Sequence, residues 1–171
     1  MDFLKLARER YSVRSFEKRP VSDGELRAIL EAGRCAPTAR NFQPQKIFVA
    51  KSKESLDTLK SVCRFTFDAP TVLVIGYDKE RSWKNKLMPP YDSGETDAAI
   101  VTTHMMLMAA SLGIGTCWVG YFNADDVRKA LALPENIVIT ALMPLGYPSK
   151  ESVPADFHTQ ARELADTVEE I

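Results

Sequence analysis

Thr71-Val-Leu-Val-Ile-Gly-Tyr77 is the stretch on which the fold turns. It is a continuous apolar run of β-forming residues, the pattern of a strand covered on both faces. Working outward, Ile137–Leu145 reads as the last buried strand, closed by Gly146-Tyr147-Pro148. Lys46–Lys51 is a shorter β-type run built on Ile47, Phe48 and Val49. Between the two buried runs, residues 95–112 form a helix that is apolar nearly all round, which implies burial on most sides. Thr116–Tyr121 then reads as a further strand. Strands separated by helices of this length predict an α+β sandwich around one sheet.

The remaining helices carry clear start signals. Residues 3–9 place Phe3, Leu4, Leu6 and Ala7 on one face. Ser22-Asp-Gly-Glu25 has the form of a capping box, followed by Leu26, Ile29, Leu30 and Gly33 at helical spacing. That helix is expected to end near Cys35, because Pro37 follows. Ser52 can cap a helix through about Cys63, and Asn123 one to about Leu133. Ala36–Pro44 reads as a loop with two prolines. Residues 78–94, with Trp83, Pro89-Pro90 and Gly94, form a long polar excursion, and long excursions in compact domains are often functional.

Composition excludes several classes. The chain has 171 residues, 45% of them hydrophobic and 26% charged, with a net charge of −1. This length predicts one domain over 1–171, with 148–171 as an extended tail. Such a domain buries roughly 70% of its unfolded surface, enough for a core without staples. The balanced charge argues against a nucleic-acid partner. Charge is nevertheless uneven: residues 1–19 hold six Lys/Arg against three acids, and residues 150–171 hold two against six. Three widely spaced cysteines without a CxxC, and two histidines 54 residues apart, support neither a metal site nor a disulfide framework. No secretory leader is apparent at the N-terminus, and a cytoplasmic location is expected. Residues 98–124 lack Asp, Glu, Lys and Arg. Their Thr, His, Ser, Gly and Asn residues nevertheless favour a buried helix and strand over a membrane span.

Common fingerprints are missing. Gly113-Ile-Gly115 lacks the third glycine of a dinucleotide-binding turn, and no GxxxxGK[ST] or GxSxG occurs. Ser15-x-x-Lys18 matches a serine-acylase motif but lacks its companions. Four weaker signals remain. In an extended Arg10-Tyr-Ser-Val-Arg14, Arg10, Ser12 and Arg14 share one face, and two guanidiniums with a hydroxyl suit a phosphate. Ala36-Pro-Thr-Ala-Arg-Asn-Phe-Gln-Pro44 is a stiff polar loop. Gly113-Ile-Gly-Thr-Cys-Trp-Val-Gly120 brackets a strand with glycines, where a flat ligand could approach the backbone. Pro144-Leu-Gly-Tyr-Pro148 closes a strand. Taken singly, each is also what a basic turn, a connection or tight packing produces.

Taken together and in this order, they resemble the FMN-dependent nitroreductase family. The likeness is carried by residues 10–16, 36–44, 112–120 and 144–148, with Asp97–Ala110 similar to the family's central helix; it covers about residues 3–148. The resemblance implies a mainly antiparallel central sheet flanked by helices. It also implies a homodimer with FMN at the interface, and a C-terminal tail that lies on this subunit or reaches the other one. By position, Arg10 and Ser12 would grip the phosphate and ribityl end with Tyr11 beside them, and Arg14 would face the pyrimidine edge. Pro37, Thr38 and Ala39 of the partner subunit would cover the ring, and the partner's Asn41 would hydrogen-bond the cofactor. The N–H of Val119 would reach flavin N5 and that of Gly120 would reach O4. Arg162, the only Lys or Arg after Lys150, is the candidate to complete the phosphate site. No catalytic side-chain dyad is expected, because the flavin carries the chemistry. The implied activity is reduction of nitroaromatic, quinone or related small acceptors with NADH or NADPH by a ping-pong mechanism. Alternatives are a flavin or enone reductase, a benzimidazole synthase, or a non-enzymatic flavin-binding protein. Thr38 stands where many relatives have Ser, and Gln45 where many have Trp.

Overall fold

The structure, a computed structural model, describes residues 2–87 and 91–171. In chain order it runs through helices α1 (Phe3–Glu9) and α2 (Asp23–Arg34), strand β1 (Gln45–Ala50), helix α3 (Lys53–Val62) and strand β2 (Thr71–Asp78). A short hairpin follows, β3 (Lys84–Asn85) and β4 (Tyr91–Asp92). Helix α4 (Gly94–Ser111), strand β5 (Gly115–Thr116), helix α5 (Ala124–Ala130) and strand β6 (Ile137–Gly146) complete it. The main sheet has the order β1-β2-β6-β5, and every neighbour is antiparallel. The α+β expectation therefore holds.

Local chemistry explains the helix starts. Ser22 Oγ accepts from the Glu25 N–H while Glu25 Oε2 accepts from the Ser22 N–H, a reciprocal capping box. Ser52 and Asn123 cap α3 and α5 through their side-chain oxygens. Helix α5 stops short of Leu133, because Ala132 takes a left-handed φ of 51° that ends the helical path.

All eight residues of β2 are buried. Leu73 and Ile75 face the cluster under α2 and α4, with Val101, Met105 and Met143. Val72 and Val74 face a second cluster with Leu59 of α3 and Val127 of α5. The two-period alternation of a strand thus feeds two cores at once. Strand β6 serves both cores by another route. Ile75 pairs with Ala141 but Gly76 with Ile139, so Thr140 is an extra residue. This bulge sends Ile139 and Ala141 to opposite faces. Gly76 is required there, since a Cβ would stand 2.3 Å from the Val138 carbonyl oxygen.

Two expectations are corrected. The strand read over Thr116–Tyr121 is only partly a ladder: β5 ends at Thr116, and Val119 returns as a single bridge to Leu142. The Cys117 N–H donates to the Pro144 carbonyl at 3.3 Å, but proline has no N–H to return the bond. The helix read as apolar all round keeps an outer side: Ala98, Val101, Met105 and Ala109 are buried, while Thr103 and His104 are exposed. Among the described residues, no helix is long and apolar enough to cross a membrane. Pro89 and Pro90, placed in the polar excursion by sequence, lie outside the described residues.

Candidate functional site

The site begins where the N-terminal segment lies along the open edge of β5. The Val13 N–H donates to the Thr116 carbonyl at 2.9 Å, and Val13 is only 2% exposed. Burying Val13 turns its neighbours outward, by strand alternation. Arg10, Ser12 and Arg14 accordingly line one pocket of about 200 Å³, together with Tyr11. The Arg14 guanidinium also donates to the Ser12 carbonyl at 3.4 Å.

The start of the tail closes this pocket. The Ser149 N–H donates to the Ser15 carbonyl, the Glu17 N–H to the Tyr147 carbonyl, and the Tyr11 hydroxyl to Ser152 at 3.2 Å. The tail therefore packs first on its own subunit. A turn closed by the His158 N–H on the Ala155 carbonyl brings Ala155, Phe157 and His158 to the pocket wall. Arg162 is not brought there. Its guanidinium donates to the Asp166 carbonyl at 2.9 Å, within a local turn, and the basic tail residue at the pocket is His158. Sequence reading passed over His158 because only the turn at Ala155 reveals it.

The strand edge beyond β5 corrects the expectation for Val119. Its N–H donates to the Leu142 carbonyl at 2.9 Å, and Leu142 returns the bond at 3.0 Å. That N–H is therefore spent inside the sheet. Because pairing alternates along a strand, Trp118 and Gly120 point their N–H groups away from β6. Neither has a protein acceptor among the described residues. Beyond Gly120, the space that a Cβ would enter is open to 4 Å. The free donor expected of this segment is thus retained by Gly120 and lost by Val119.

The loop over 36–44 is a fixed element. Arg40, Asn41 and Gln43 all have left-handed φ between 50° and 57°. The Ala39 N–H donates to Asp97 Oδ1 at 2.8 Å, and the Gln43 N–H to Thr38 Oγ1 at 3.1 Å. The Asn41 side-chain oxygen accepts from the Gln43 amide at 3.1 Å, and Pro37 is exposed. Asp97, on α4, is 2% exposed and also accepts from the Ser93 hydroxyl at 2.8 Å. This buried carboxylate anchors the loop, a role hidden in sequence by the apolar run that follows it. Within one chain this loop lines a different pocket from Arg10. That second pocket, about 730 Å³, lies between Arg40, Phe42 and Trp83. Trp83 packs edge-on against Tyr91 with ring centroids 6.5 Å apart.

The buried Cys117 thiol follows Thr116, the residue that bridges to Ser12, and contacts the Trp118 carbonyl at 3.8 Å. Burial pushes its pKa up, and the opposing pull of the Arg14 charge is smaller. A thiol so held stays protonated and is not an activated nucleophile. The site offers cationic and hydroxyl groups, free backbone donors and an open strand edge. This donor set suits an anionic, planar ligand whose own chemistry does the work.

Comparison with known proteins agrees with this geometry. The model of the nitroreductase family matches residues 7–64 and 60–147. A protein of Archaeoglobus fulgidus, provisionally named an NADH dehydrogenase/NAD(P)H nitroreductase, is 33% identical over 86% of each chain. A nitroreductase family protein of Clostridium difficile superposes with a TM-score of 0.91 and 34% identity, covering 99% of this chain and 98% of that one. A provisionally assigned nitroreductase of Desulfovibrio desulfuricans, solved in complex with FMN, gives a TM-score of 0.84 at 27% identity over 100% and 97% of the two chains. With the family model matching residues 7–64 and 60–147, and the fold shared along nearly the whole length of a family structure, this chain belongs to the nitroreductase family.

Proposed function

We propose that this chain is an FMN-dependent oxidoreductase that draws reducing equivalents from NADH or NADPH and passes them to nitroaromatic, quinone or related small acceptors. One observation carries the reading. A pocket is lined by Arg10, Ser12 and Arg14 with no acidic side chain in its wall, and Ser12 bridges to Thr116, at the start of a segment whose Trp118 and Gly120 N–H groups have no acceptor among the described residues. Gathering like charges without an acid is costly unless an anion occupies the centre. Bound FMN supplies the two-electron chemistry.

The chain's own residues bind and tune. Arg10 and Ser12 hold the phosphate end through charge-assisted and hydroxyl hydrogen bonds, with Tyr11 fixing the pocket wall. Arg14 sets positive charge beside the pyrimidine edge, where it favours the reduced, anionic cofactor. The Gly120 N–H, aimed out of the sheet, orients the ring. Val119 contributes through the bridge that holds Gly120 in place. Pro37, Thr38 and Ala39 of the partner subunit form the opposite wall, with the partner's Asn41 as a polar contact.

This arrangement requires two copies of a single domain over 1–171. Two features support a homodimer. The apolar residues Phe3 and Leu4 are 66% and 54% exposed, and the tail beyond His158 is exposed throughout. Large apolar patches on a folded chain mark association surfaces. Arg162, the tail residue expected to complete the phosphate site, lies in that exposed segment.

The test is direct. Purified protein should carry flavin colour, bleach anaerobically with NADH or NADPH, and regain colour when a nitroaromatic or quinone is added. A coloured protein that stays oxidised with both nucleotides contradicts the oxidoreductase reading and leaves a flavin-binding protein.

A further inference from the structure

The second pocket, about 730 Å³, has the size of a small-molecule site, and the reading above gives its lining residues no role. Three cations, Arg40, Lys84 and Lys86, line it beside the aromatic side chains of Phe42 and Trp83, and no carboxylate is among its described lining residues. Lys84 is already satisfied. Its ammonium pairs with Asp92 and donates to Ser82 Oγ at 2.7 Å and to the Lys79 carbonyl at 3.0 Å. Arg40 and Lys86 are exposed, and neither forms an ion pair among the described residues. Both walls are fixed. Arg40 holds a left-handed φ of 51°, a conformation that persists in a non-glycine residue only where the surroundings impose it, and that gathers at ligand clamps. The Ala39 N–H on Asp97 and the Gln43 N–H on Thr38 Oγ1 impose it here. Trp83 is half-buried against Tyr91, and its carbonyl accepts from the Ser93 N–H at 3.0 Å. The pocket therefore combines two unneutralised cations with two aromatic side chains.

We propose that this pocket receives the adenosine half of NADPH, with Arg40 and Lys86 on the 2′-phosphate and Phe42 and Trp83 against the adenine, so that this chain prefers NADPH to NADH. The inference rests on the oxidoreductase reading above and deepens it by naming the nucleotide and the residues that select it. Arg40 directly follows the segment 37–39 assigned to cover the partner's ring, so the pocket of one copy continues the wall over the flavin of the other. A nicotinamide stacked on that ring leaves the adenosine half to find contacts farther along the wall. NADPH differs from NADH by one phosphate on the adenosine ribose, and only a group that meets this phosphate can tell them apart. Arginine suits it, because its planar fork binds phosphate oxygens bidentately, and Lys86 adds a point charge. Adenine stacks on aromatic side chains through its π-face, which both nucleotides share. NADH would thus gain the stacking and leave both cations without their anion.

The experiment measures, by calorimetry on the full-length protein, dissociation constants for adenosine 2′,5′-bisphosphate and for adenosine 5′-monophosphate, which lacks the 2′-phosphate. The wild type should bind the bisphosphate about tenfold or more tightly than the monophosphate, as expected for charge-assisted hydrogen bonds to one added phosphate. Arg40→Ala should bring this ratio close to one, and Lys86→Ala should lower it by less. Because alanine strains a left-handed position, Arg40→Gly is the companion variant: it suits the backbone and removes only the guanidinium. It should lose the ratio as Arg40→Ala does, while Arg40→Lys keeps part of it. In steady state the ratio of kcat/KM for NADPH to that for NADH should fall about tenfold in Arg40→Gly, through KM for NADPH. If the wild type binds the two adenosine nucleotides equally, or Arg40→Gly keeps the wild-type ratio, the nucleotide subsite is overturned. If Arg40→Gly weakens 4-nitrobenzoate relative to nitrobenzene and leaves the bisphosphate untouched, the pocket serves the acceptor and the proposal is likewise overturned. In both cases a flavin-coloured protein that NADH or NADPH bleaches leaves the oxidoreductase reading standing. A colourless protein that binds neither nucleotide removes both.

Discussion

Strand β2 and helix α1 are both rich in apolar residues, and they meet opposite fates. Every residue of β2, Thr71–Asp78, is buried, whereas α1, Phe3–Glu9, buries none. Strand β2 lies between β1 and β6 with a helical layer on each face, so its apolar run is satisfied within one chain. Helix α1 lies at the rim, beside the segment that carries Arg10 and Ser12. A helix of seven residues has little intrinsic stability in water. The chain is therefore complete at its centre and unfinished at its edge, where the candidate site is.

The largest expected effect tests the centre. Leu73→Ala removes a fully buried side chain from β2 and should lower unfolding stability by about 2–5 kcal/mol in a urea titration. A loss below about 1 kcal/mol would show that the sheet centre is not the packed element described.

The next test addresses the rim. If α1 lies in the interface of the proposed homodimer, replacing both Phe3 and Leu4 by Ala should raise its dissociation constant at least about a hundredfold in sedimentation, given about 1.5–3 kcal/mol per buried large side chain. An unchanged association constant would remove α1 from the interface.

Between centre and rim stands Asp97. Asp97→Asn should cost about 1.5–3 kcal/mol, because a buried charged acceptor for the Ala39 N–H and the Ser93 hydroxyl is lost. Protease cleavage at Arg40 should accelerate in parallel. Unaltered cleavage would mean that the loop holds itself.

Within the site, Arg10→Ala should weaken FMN binding about tenfold or more, and Arg14→Ala by less. Equal dissociation constants for the two variants would contradict their assigned ends of the cofactor.

The smallest effect is at the capping box of α2. The Ser22 hydroxyl, followed by the Tyr147 hydroxyl, holds the Glu25 carboxyl below its usual value of 4.5. The resulting stability is present above that value and disappears as pH falls through the lower, folded one. Tyr147→Phe should therefore shrink the loss of stability between pH 5 and about 3, as followed by urea midpoints. A variant with the wild-type acid profile would show that the Tyr147 contact contributes nothing.

Much of the centre was legible because its signals are local. The run at 71–77, the Ser22–Glu25 box and the Ser52 and Asn123 caps each depend on neighbours within a few residues, and each element started where expected, although α5 ended early. The strand at 116–121 was misjudged because its ladder depends on Pro144, a partner distant in sequence. The donor at Val119 failed for the same reason. Which N–H groups remain free depends on pairing register, and register is a property of two strands. Tail chemistry was the least legible, since charge pointed to Arg162 while a turn at Ala155 delivers His158.

By itself, the amino-acid sequence determined the α+β layering, the helix starts and the grouping of Arg10, Ser12 and Arg14 on one side of an extended segment. Apolar periodicity, caps and strand alternation act over a few residues and are written in order along the chain. Only the tertiary structure decided that Gly120 rather than Val119 keeps a free donor, that Asp97 anchors the loop at Ala39, and that His158 meets the basic edge. Those outcomes depend on which distant backbone groups pair first and which are left over, a competition settled only when the whole sheet is assembled.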